Sequence, residues 1–391
     1  MVISLEALLV LCLLSVPIYW LLPDRTLDLR ACFLICLSAL VIYSLSPLIF
    51  VWLLGYCAIV AILLGGAKYG LKAQLLKVLT WFLFLPIALI ELVPKGFLTN
   101  LVGWENELQY PRVSQFALLG LSYCAIRAFL VVREGIARKD FRIVPAYTAL
   151  LFFGTYVAGP IAGSNQYVAD ARAKSLTAYD AAIALCRIGW GAALFLVVKP
   201  LISGADIAQL LGWEKGSHAT ALAWLFIYHS FLNLYVDFYG YCEVAIGVGL
   251  LFGIRVPENF RAPLISRSMQ EFWQRWHLTL GAFVSTYLFK PLVRSWGQTT
   301  LAIFIAFTLI GLWHQFTWTY LLWGMGHGGG LALNMILNKR YGDRVLGPLQ
   351  KFRLGLIGWV LTMTWVSLLS AIANSENLAK AGELCASLLG L

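Results

Sequence analysis

The sequence contains 391 residues, of which 60% are hydrophobic and 12% are charged, and its mean hydropathy is +0.79. A water-soluble protein cannot bury that much apolar surface, and the apolar residues form stretches long enough to span lipid. The formal net charge is +10, but the basic residues lie in short clusters between apolar runs, which is typical of cytoplasmic loops and lipid head-group contacts. We therefore predict an all-α, polytopic integral membrane protein that binds membrane lipids and no nucleic acid.

The apolar runs predict one membrane-embedded domain over residues 1–391, a bundle of roughly 10 to 12 transmembrane or re-entrant helices. The candidate spans in chain order are 5–22, 31–43, 47–64, 75–93, 113–132, 143–161, 181–201, 219–236, 241–252, 278–292, 301–318, 320–337 and 354–373. The run 241–252 is too short to cross a bilayer alone, so we predict a re-entrant segment or half-helix there.

Charges in the loops predict the orientation in the membrane. The loop 68–77 is purely basic and the loop 133–142 has a basic excess, whereas the loop 95–112 between them is neutral. By the positive-inside rule this alternation places the N-terminus outside. The segments 255–275 and 339–353 are also basic, so we expect them on the cytoplasmic side of the cell inner membrane.

A histidine lies deep in one of the apolar runs. His314 follows Gly-Leu-Trp313 and lies about 13 residues into the run 301–323, which corresponds to roughly 20 Å at about 1.5 Å per residue in a bilayer roughly 30 Å thick. A titratable imidazole at that depth is costly unless protein or trapped water surrounds it. His314 is therefore a candidate functional residue.

A second Trp-His pair follows a predicted interfacial helix near residues 268–277. Ser268 and Glu271 fit a capping box, with Glu271 returning to the amide of Ser268. Arg275 lies four residues after Glu271 and continues a charged stripe, while the aromatic residues supply an apolar face. His277 ends this segment. Its alternatives are a catalytic residue, part of an interfacial anchor, or a hydrogen-bonded core histidine.

Two acidic residues, Asp237 and Glu243, lie in apolar surroundings upstream. Asn233 and Asp237 share one helix face because they are four residues apart. A buried Asp237 needs a partner, and we expect Arg127, which lies inside the run 113–132, to be able to provide it. Asp237 belongs either to the scaffold, as half of a structural ion pair, or to a site.

Four motifs occur in a characteristic order: Asp237-Phe-Tyr-Gly-Tyr241, Arg255-Val-Pro-Glu-Asn259-Phe260, Glu271-Phe-Trp-Gln-Arg-Trp-His277 and Gly311-Leu-Trp-His314. This ordered set resembles the membrane-bound O-acyltransferase family. It is most similar to the bacterial branch, which includes the membrane subunits of teichoic-acid D-alanylation and alginate O-acetylation. The resemblance is strong over residues 232–329. The chain departs from it at Gln315, where the family often has Gly, and at Cys242, where it often has Ser.

The resemblance implies an acyltransferase whose catalytic histidines are His314 and His277. In O-acyl transfer a hydroxyl loses its proton as it attacks a thioester, and a neutral histidine near pH 7 suits the role of base, which we assign to His314. The developing oxyanion needs hydrogen-bond donors. The predicted substrate-binding residues, some of them candidate oxyanion donors, are Asp237, Asn259, Arg275, Trp276, Trp313 and Trp318.

The same resemblance implies the substrates. The donor is expected to be acyl-coenzyme A or an acyl-phosphopantetheine carrier protein on the cytosolic side, with no tightly bound cofactor and no metal. The acyl group is expected to be short, acetyl or D-alanyl. The acceptor is expected to be a hydroxyl of an extracytoplasmic partner protein or a cell-envelope polysaccharide.

Two other classes of protein are compatible with the sequence. A secondary transporter would also place His314, Asp237 and Arg127 in a site at the membrane midplane. A purely structural membrane subunit is a third class, although it has no need of a histidine at mid-depth.

The string His327-Gly-Gly-Gly330 is similar to a lipase oxyanion motif, but without a G-x-S-x-G elbow it predicts a close-packed helix contact.

Overall fold

The computed structural model describes residues 5–23, 27–45, 47–87, 111–139, 141–164, 175–203, 217–341 and 348–391. Within these ranges the chain is helical and contains no strand, which confirms the all-α prediction. It packs as two compact units, residues 1–192 with 240–257 and residues 193–239 with 258–391. The predicted single domain over residues 1–391 stays a prediction.

Several helices are long and apolar enough to cross a membrane. In the described part of the chain, length and composition select four such helices, Ile49–Lys68, Ala178–Ile202, Ala219–Leu251 and Leu354–Ala373. Shorter apolar helices are Val10–Leu21, Leu29–Leu45, Ala73–Ile87 and Thr299–His314. The chain is therefore a multi-pass membrane protein.

The helices of the first unit begin at the N-terminal apolar run. In chain order they are α1 (Leu5–Leu21), α2 (Leu27–Leu45), α3 (Pro47–Lys68), α4 (Ala73–Leu79) with the 3₁₀ turn Thr80–Phe84, α5 (Pro111–Arg138), α6 (Ile143–Leu151) and α7 (Ala178–Ala193). The predicted span 75–93 and the loop 95–112 lie partly outside the described residues. The predicted span 143–161 is wrong in its second half, because α6 ends at Leu151 and a buried irregular segment follows.

Arg127 on α5 explains how that irregular segment is stabilised. Its side chain is 0% exposed; Nη2 donates to the carbonyl of Tyr156 at 2.7 Å, and Nη1 donates to Thr155 Oγ1 at 3.2 Å. Non-helical backbone at membrane depth needs such partners, because lipid offers none. The expectation that Arg127 pairs with Asp237 was therefore wrong.

The predicted break between residues 236 and 241 is also wrong. One continuous helix, α9 (Ser217–Leu251), contains the predicted segment 219–236 and all of the predicted segment 241–252 except Phe252. The acidic residues that interrupt the apolar pattern are neutralised by pairing. Asp237 binds Lys199 with an Nζ–Oδ1 distance of 2.6 Å, and Glu243 binds Arg187 with an Nη1–Oε2 distance of 3.1 Å.

The second unit contains the first part of α9 and the remaining helices. These are α8 (Lys199–Ser203), preceded by the π-helical turn Leu194–Val198, then α10 (Met269–Trp273), α11 (Leu278–Val284) with the π-helical turn Ser285–Phe289, α12 (Lys290–Trp296), α13 (Thr299–His314), α14 (Trp318–Tyr341), α15 (Pro348–Ala373) and α16 (Leu378–Leu388). The predicted spans 301–318 and 320–337 correspond to α13 and α14.

Glycines let α13 and α14 approach each other closely. A Cβ on Gly324 would lie 2.5 Å from the carbonyl oxygen of Phe307, and a Cβ on Gly328 would lie 2.9 Å from the Cα of Phe304. Any larger side chain would push the two backbones apart, which is why small residues mark tight helix contacts in membranes. Gly328 belongs to the His-Gly-Gly-Gly string, so the predicted helix contact is confirmed there.

Candidate active site

The helix before His277 is capped, and it is shorter than predicted. Ser268 Oγ accepts from the amide of Glu271 at 3.1 Å, but the Glu271 carboxylate accepts from the amide of Arg267 at 2.8 Å and not from that of Ser268. Arg275 Nη2 then binds Glu271 Oε1 at 2.9 Å. These contacts hold only the five residues of α10 in helical form, and the chain then turns toward His277.

His277 has an unusual backbone conformation. Its φ is 45° and its ψ is 56°, the left-handed region, and its side chain is 3% exposed at the start of α11. A residue with a Cβ pays about 1–2 kcal/mol there, so its surroundings must favour this geometry. The amide of Leu278 donates to the carbonyl of Asn259 at 3.0 Å, and the amide of Arg261 donates to the carbonyl of Arg275 at 2.9 Å. The segment is thereby held on both sides of the histidine.

Asn259 fixes the orientation and the tautomer of His277. Its Oδ1 accepts from Thr279 twice, from the amide at 3.3 Å and the hydroxyl at 2.9 Å, and lies 3.0 Å from His277 Nδ1. Because a backbone amide can only donate, this Asn259 atom is the oxygen, and His277 Nδ1 must donate to it. The Nδ1 of His277 therefore carries a proton, and the Nε2 of the neutral ring presents a lone pair.

Burial and the His314 imidazole both affect the charge of His277. His277 lies outside the helices that qualify as membrane spans. Burial lowers the pKa of His277 well below its usual value, and the nearby His314 imidazole lowers it further. Burial and a like charge both disfavour the imidazolium form. His277 is therefore neutral at pH 7 and can accept a hydrogen bond at Nε2.

His314 is the last helical residue of α13. The next residue, Gln315, is extended, so the helix ends at the imidazole. Its ring lies 4.7 Å from that of Trp313, 5.3 Å from that of Trp323 and 6.0 Å from that of Tyr320, and the side chain is partly exposed. Three aromatic rings therefore pack around the His314 imidazole without burying it completely.

The other predicted site residues divide into two groups. Trp276 is buried with its ring 5.5 Å from that of Phe272, and Phe238 packs edge-on at 4.8 Å against His277. Trp276, Asn259 and Trp313 thus lie around the two histidines. By contrast, Trp318 is 69% exposed.

Arg275 and Asp237 are already engaged by other groups. Besides its ion pair with Glu271, Arg275 donates from Nη1 to the carbonyl of Arg261 at 3.1 Å. Asp237 binds Lys199 through both carboxylate oxygens. A role for either residue in binding substrate would require these contacts to rearrange.

Several residues that contact the predicted site residues carry no clear signal in the sequence. Lys199 was hidden at the end of an apolar run, where a lone lysine resembles a membrane-interface anchor. Thr279 and Trp323 carry no signal of their own. His327 stood out in the His-Gly-Gly-Gly string, but was interpreted only as part of a helix contact.

These features define an all-helical membrane protein with a pair of neighbouring histidines, one of them oriented by an asparagine. The chain belongs to the MBOAT family, the membrane-bound O-acyltransferases, whose model matches residues 109–367. The resemblance recognised in the sequence is thereby confirmed.

The names of individual relatives state the polymers on which they act. A probable alginate O-acetylase of Pseudomonas aeruginosa is 43% identical over 148 residues, 36% of this chain and 28% of the relative. A peptidoglycan O-acetyltransferase of Helicobacter pylori is 29% identical over 250 residues, 61% and 45%. A teichoic acid D-alanyltransferase of Bacillus subtilis is 26% identical over 287 residues, 68% and 70%. The match thus spans less than half of the length of the first two relatives.

Proposed function

We propose that the chain is an O-acyltransferase that moves an acetyl or D-alanyl group from a cytosolic thioester to an extracytoplasmic hydroxyl. The observation that carries the proposal is the Asn259–His277 hydrogen bond beside His314. This contact supports the proposal because both histidines lie within the part of the chain that matches the acyltransferase family. Family membership alone would support the reaction class but not these roles.

In the proposed reaction His314 is the general base. Its imidazole takes the proton of the acceptor hydroxyl as the oxygen attacks the thioester carbonyl. The tetrahedral intermediate collapses, the carbon–sulfur bond breaks, and the imidazolium returns the proton to the leaving thiolate. The position of His314 at the C-terminus of α13 supports this role, because the negative end of the helix dipole stabilises the transient imidazolium.

His277 is proposed to position the donor. Its Nε2 lone pair can accept a hydrogen bond from an amide N–H, and the phosphopantetheine arm of coenzyme A or of a carrier protein contains such amides. The hydrogen bond from Nδ1 to Asn259 fixes the direction of that lone pair. Trp276 and Trp313 remain proposed hydrogen-bond donors for the oxyanion, each with an indole N–H close to a histidine in sequence.

The contacts do not favour a secondary transporter. That interpretation requires Asp237 and Arg127 to join His314 in one site. Asp237 instead binds Lys199, and Arg127 donates to Thr155 and Tyr156. Both charged residues therefore have structural partners.

Similarity to the named relatives supports our proposals for the acceptor and for the membrane in which the chain lies. The named relatives act on alginate, peptidoglycan and teichoic acid, so we propose that the acceptor is a cell-envelope polysaccharide or a partner protein that passes the acyl group to one. The chain would then lie in the inner membrane with its N-terminus outside. The basic segments 255–275 and 339–353 would face an anionic donor in the cytosol.

Label transfer in membranes tests this function. Vesicles from cells expressing the gene together with its neighbouring genes are given acetyl-coenzyme A or a D-alanyl carrier protein, each with a radiolabelled acyl group. We expect label in the envelope polymer with one of these donors and none in vesicles without the gene. Transport of a solute without any acyl transfer would overturn the proposal.

A further inference from the structure

One side chain from the His277 segment enters the contact between α13 and α14. Trp273 is the last residue of α10, and its ring lies 4.6 Å from that of Phe307 on α13 and 6.1 Å from that of Trp323 on α14. It also lies 5.1 Å, edge-on, from the ring of His327 on α14. Because Trp273 precedes His277 by four residues, its position influences where that histidine lies.

The indole of Trp273 makes a directional bond within this contact. Trp273 Nε1 donates to His327 Nδ1 at 3.3 Å, and His327 is 1% exposed. An indole nitrogen can only donate, so Nδ1 of His327 must be the unprotonated nitrogen and the proton lies on Nε2. This is the opposite tautomer from that of His277, whose Nδ1 donates to Asn259.

The same contact reaches His314 through one ring. Trp323 lies 4.5 Å from His327 on one side and 5.3 Å from His314 on the other, edge-on to both. Gly324 and Gly328, which bring α13 and α14 together, flank Trp323 and His327 in the sequence of α14. A path of direct contacts therefore runs from the His277 segment, through Trp273 and His327, to Trp323, whose ring contacts His314.

We propose that His327 is a positioning residue that docks Trp273 and thereby sets the distance between the His277 and His314 imidazoles. This inference rests on the proposed acyl transfer. A role in packing alone is the competing explanation, because His327 also fills space between helices. The two explanations differ in whether the Nδ1 acceptor matters or only the volume of the side chain.

Substitutions at His327 separate these explanations. His327→Asn keeps an acceptor near the position of Nδ1, whereas His327→Leu fills similar volume without one. We expect His327→Leu to lower kcat at least about 10-fold with an unchanged KM for acetyl-coenzyme A, and His327→Asn to restore kcat to within about 3-fold of wild type. His229→Leu is the matched control, because His229 Nε2 lies 3.0 Å from the backbone carbonyl of Ile202 and His229 takes no part in the contacts among Trp273, Trp323 and His327.

A double-mutant cycle tests the coupling to Trp273. If the hydrogen bond carries the effect, Trp273→Phe with His327→Leu should be no slower than the slower single variant. Fully additive losses would overturn the proposal. So would equal activity of His327→Leu and wild type, or rescue by His327→Gln and not by His327→Asn, which would assign the effect to the proton on Nε2.

A spectroscopic readout keeps the inference separate from the proposed function. The indole band that reports N–H hydrogen bonding in ultraviolet resonance Raman spectra is isolated as the difference between protein with Trp273 and with Trp273→Phe. We expect a hydrogen-bonded position in wild type and in His327→Asn, and a shift in His327→Leu. Absence of that shift refutes docking even if acyl transfer is active. Absence of acyl transfer by wild type, with the shift present, refutes the proposed function and leaves the docking contact intact.

Discussion

Replacing Asn259 with leucine tests whether acyl transfer depends on the orientation of His277 and not only on its presence. Leucine has similar volume but no acceptor, so three interactions with Oδ1 are lost, one from His277 and two from Thr279. Asn259 is 1% exposed, and water therefore cannot easily replace the lost acceptor. Asn259→Asp is the matched control, because a carboxylate oxygen still accepts at the same place.

The expected magnitude follows from these contacts. A buried donor left without its acceptor costs about 1–3 kcal/mol, and the Thr279 hydroxyl can rotate to limit its share. We therefore expect Asn259→Leu to lower the free energy of unfolding by about 2–4 kcal/mol. The His277 proton is then no longer held on Nδ1, and loss of the oriented lone pair should reduce acyl transfer about 10- to 100-fold.

Two measurements check this prediction. Thermal unfolding in detergent gives the stability change, and label transfer from acetyl-coenzyme A gives the rate for the protein that remains folded. The Asn259→Asp variant should keep most of the stability, because its carboxylate accepts from both Thr279 groups. Wild-type transfer by folded Asn259→Leu would refute the argument that Asn259 orients His277 for the reaction.

Three further outcomes are expected. Arg127→Leu should lower the free energy of unfolding by about 2–4 kcal/mol, measured by thermal unfolding, because the carbonyl of Tyr156 loses its buried donor; unchanged stability would contradict this role. Gly324→Leu should prevent α13 and α14 from packing and abolish stable expression, measured by size-exclusion chromatography, and a monodisperse protein would refute the close contact. Changing Arg261, Lys339 and Arg344 to Glu should raise the donor KM at low salt, with a smaller effect at high salt, and an unchanged KM would leave only the topological explanation of these charges.

Local signals in the sequence predicted most helices but not how they end. The apolar runs located α1 and α3 to within four residues and the C-terminal end of α15 at Ala373. They failed at residues 143–161, where the irregular segment is stabilised by the distant Arg127. They also failed within α9, where hydropathy falls at Asp237 although pairing with Lys199 lets the helix continue.

Local sequence also does not predict the contacts within the candidate site. The motifs identified His277, His314 and Asn259 as separate candidates, because each residue lies in a recognisable string. The hydrogen bond between Asn259 and His277 joins residues 18 apart in the chain, and the Trp273–His327 bond joins residues 54 apart. Tertiary packing creates both contacts, so no local pattern in the sequence predicts them.

The most direct test of the account is acyl transfer by His314→Ala in reconstituted vesicles, with His277→Ala measured beside it. Removing a general base typically costs about 10²- to 10⁴-fold, so we predict that loss for His314→Ala, with normal expression and membrane insertion. The loss for His277→Ala should be smaller, because positioning the donor contributes less than proton transfer. Equal, complete loss in both variants with unchanged donor binding would contradict this division of roles. Near-wild-type transfer by a well-folded His314→Ala protein would contradict the central claim that His314 is the base.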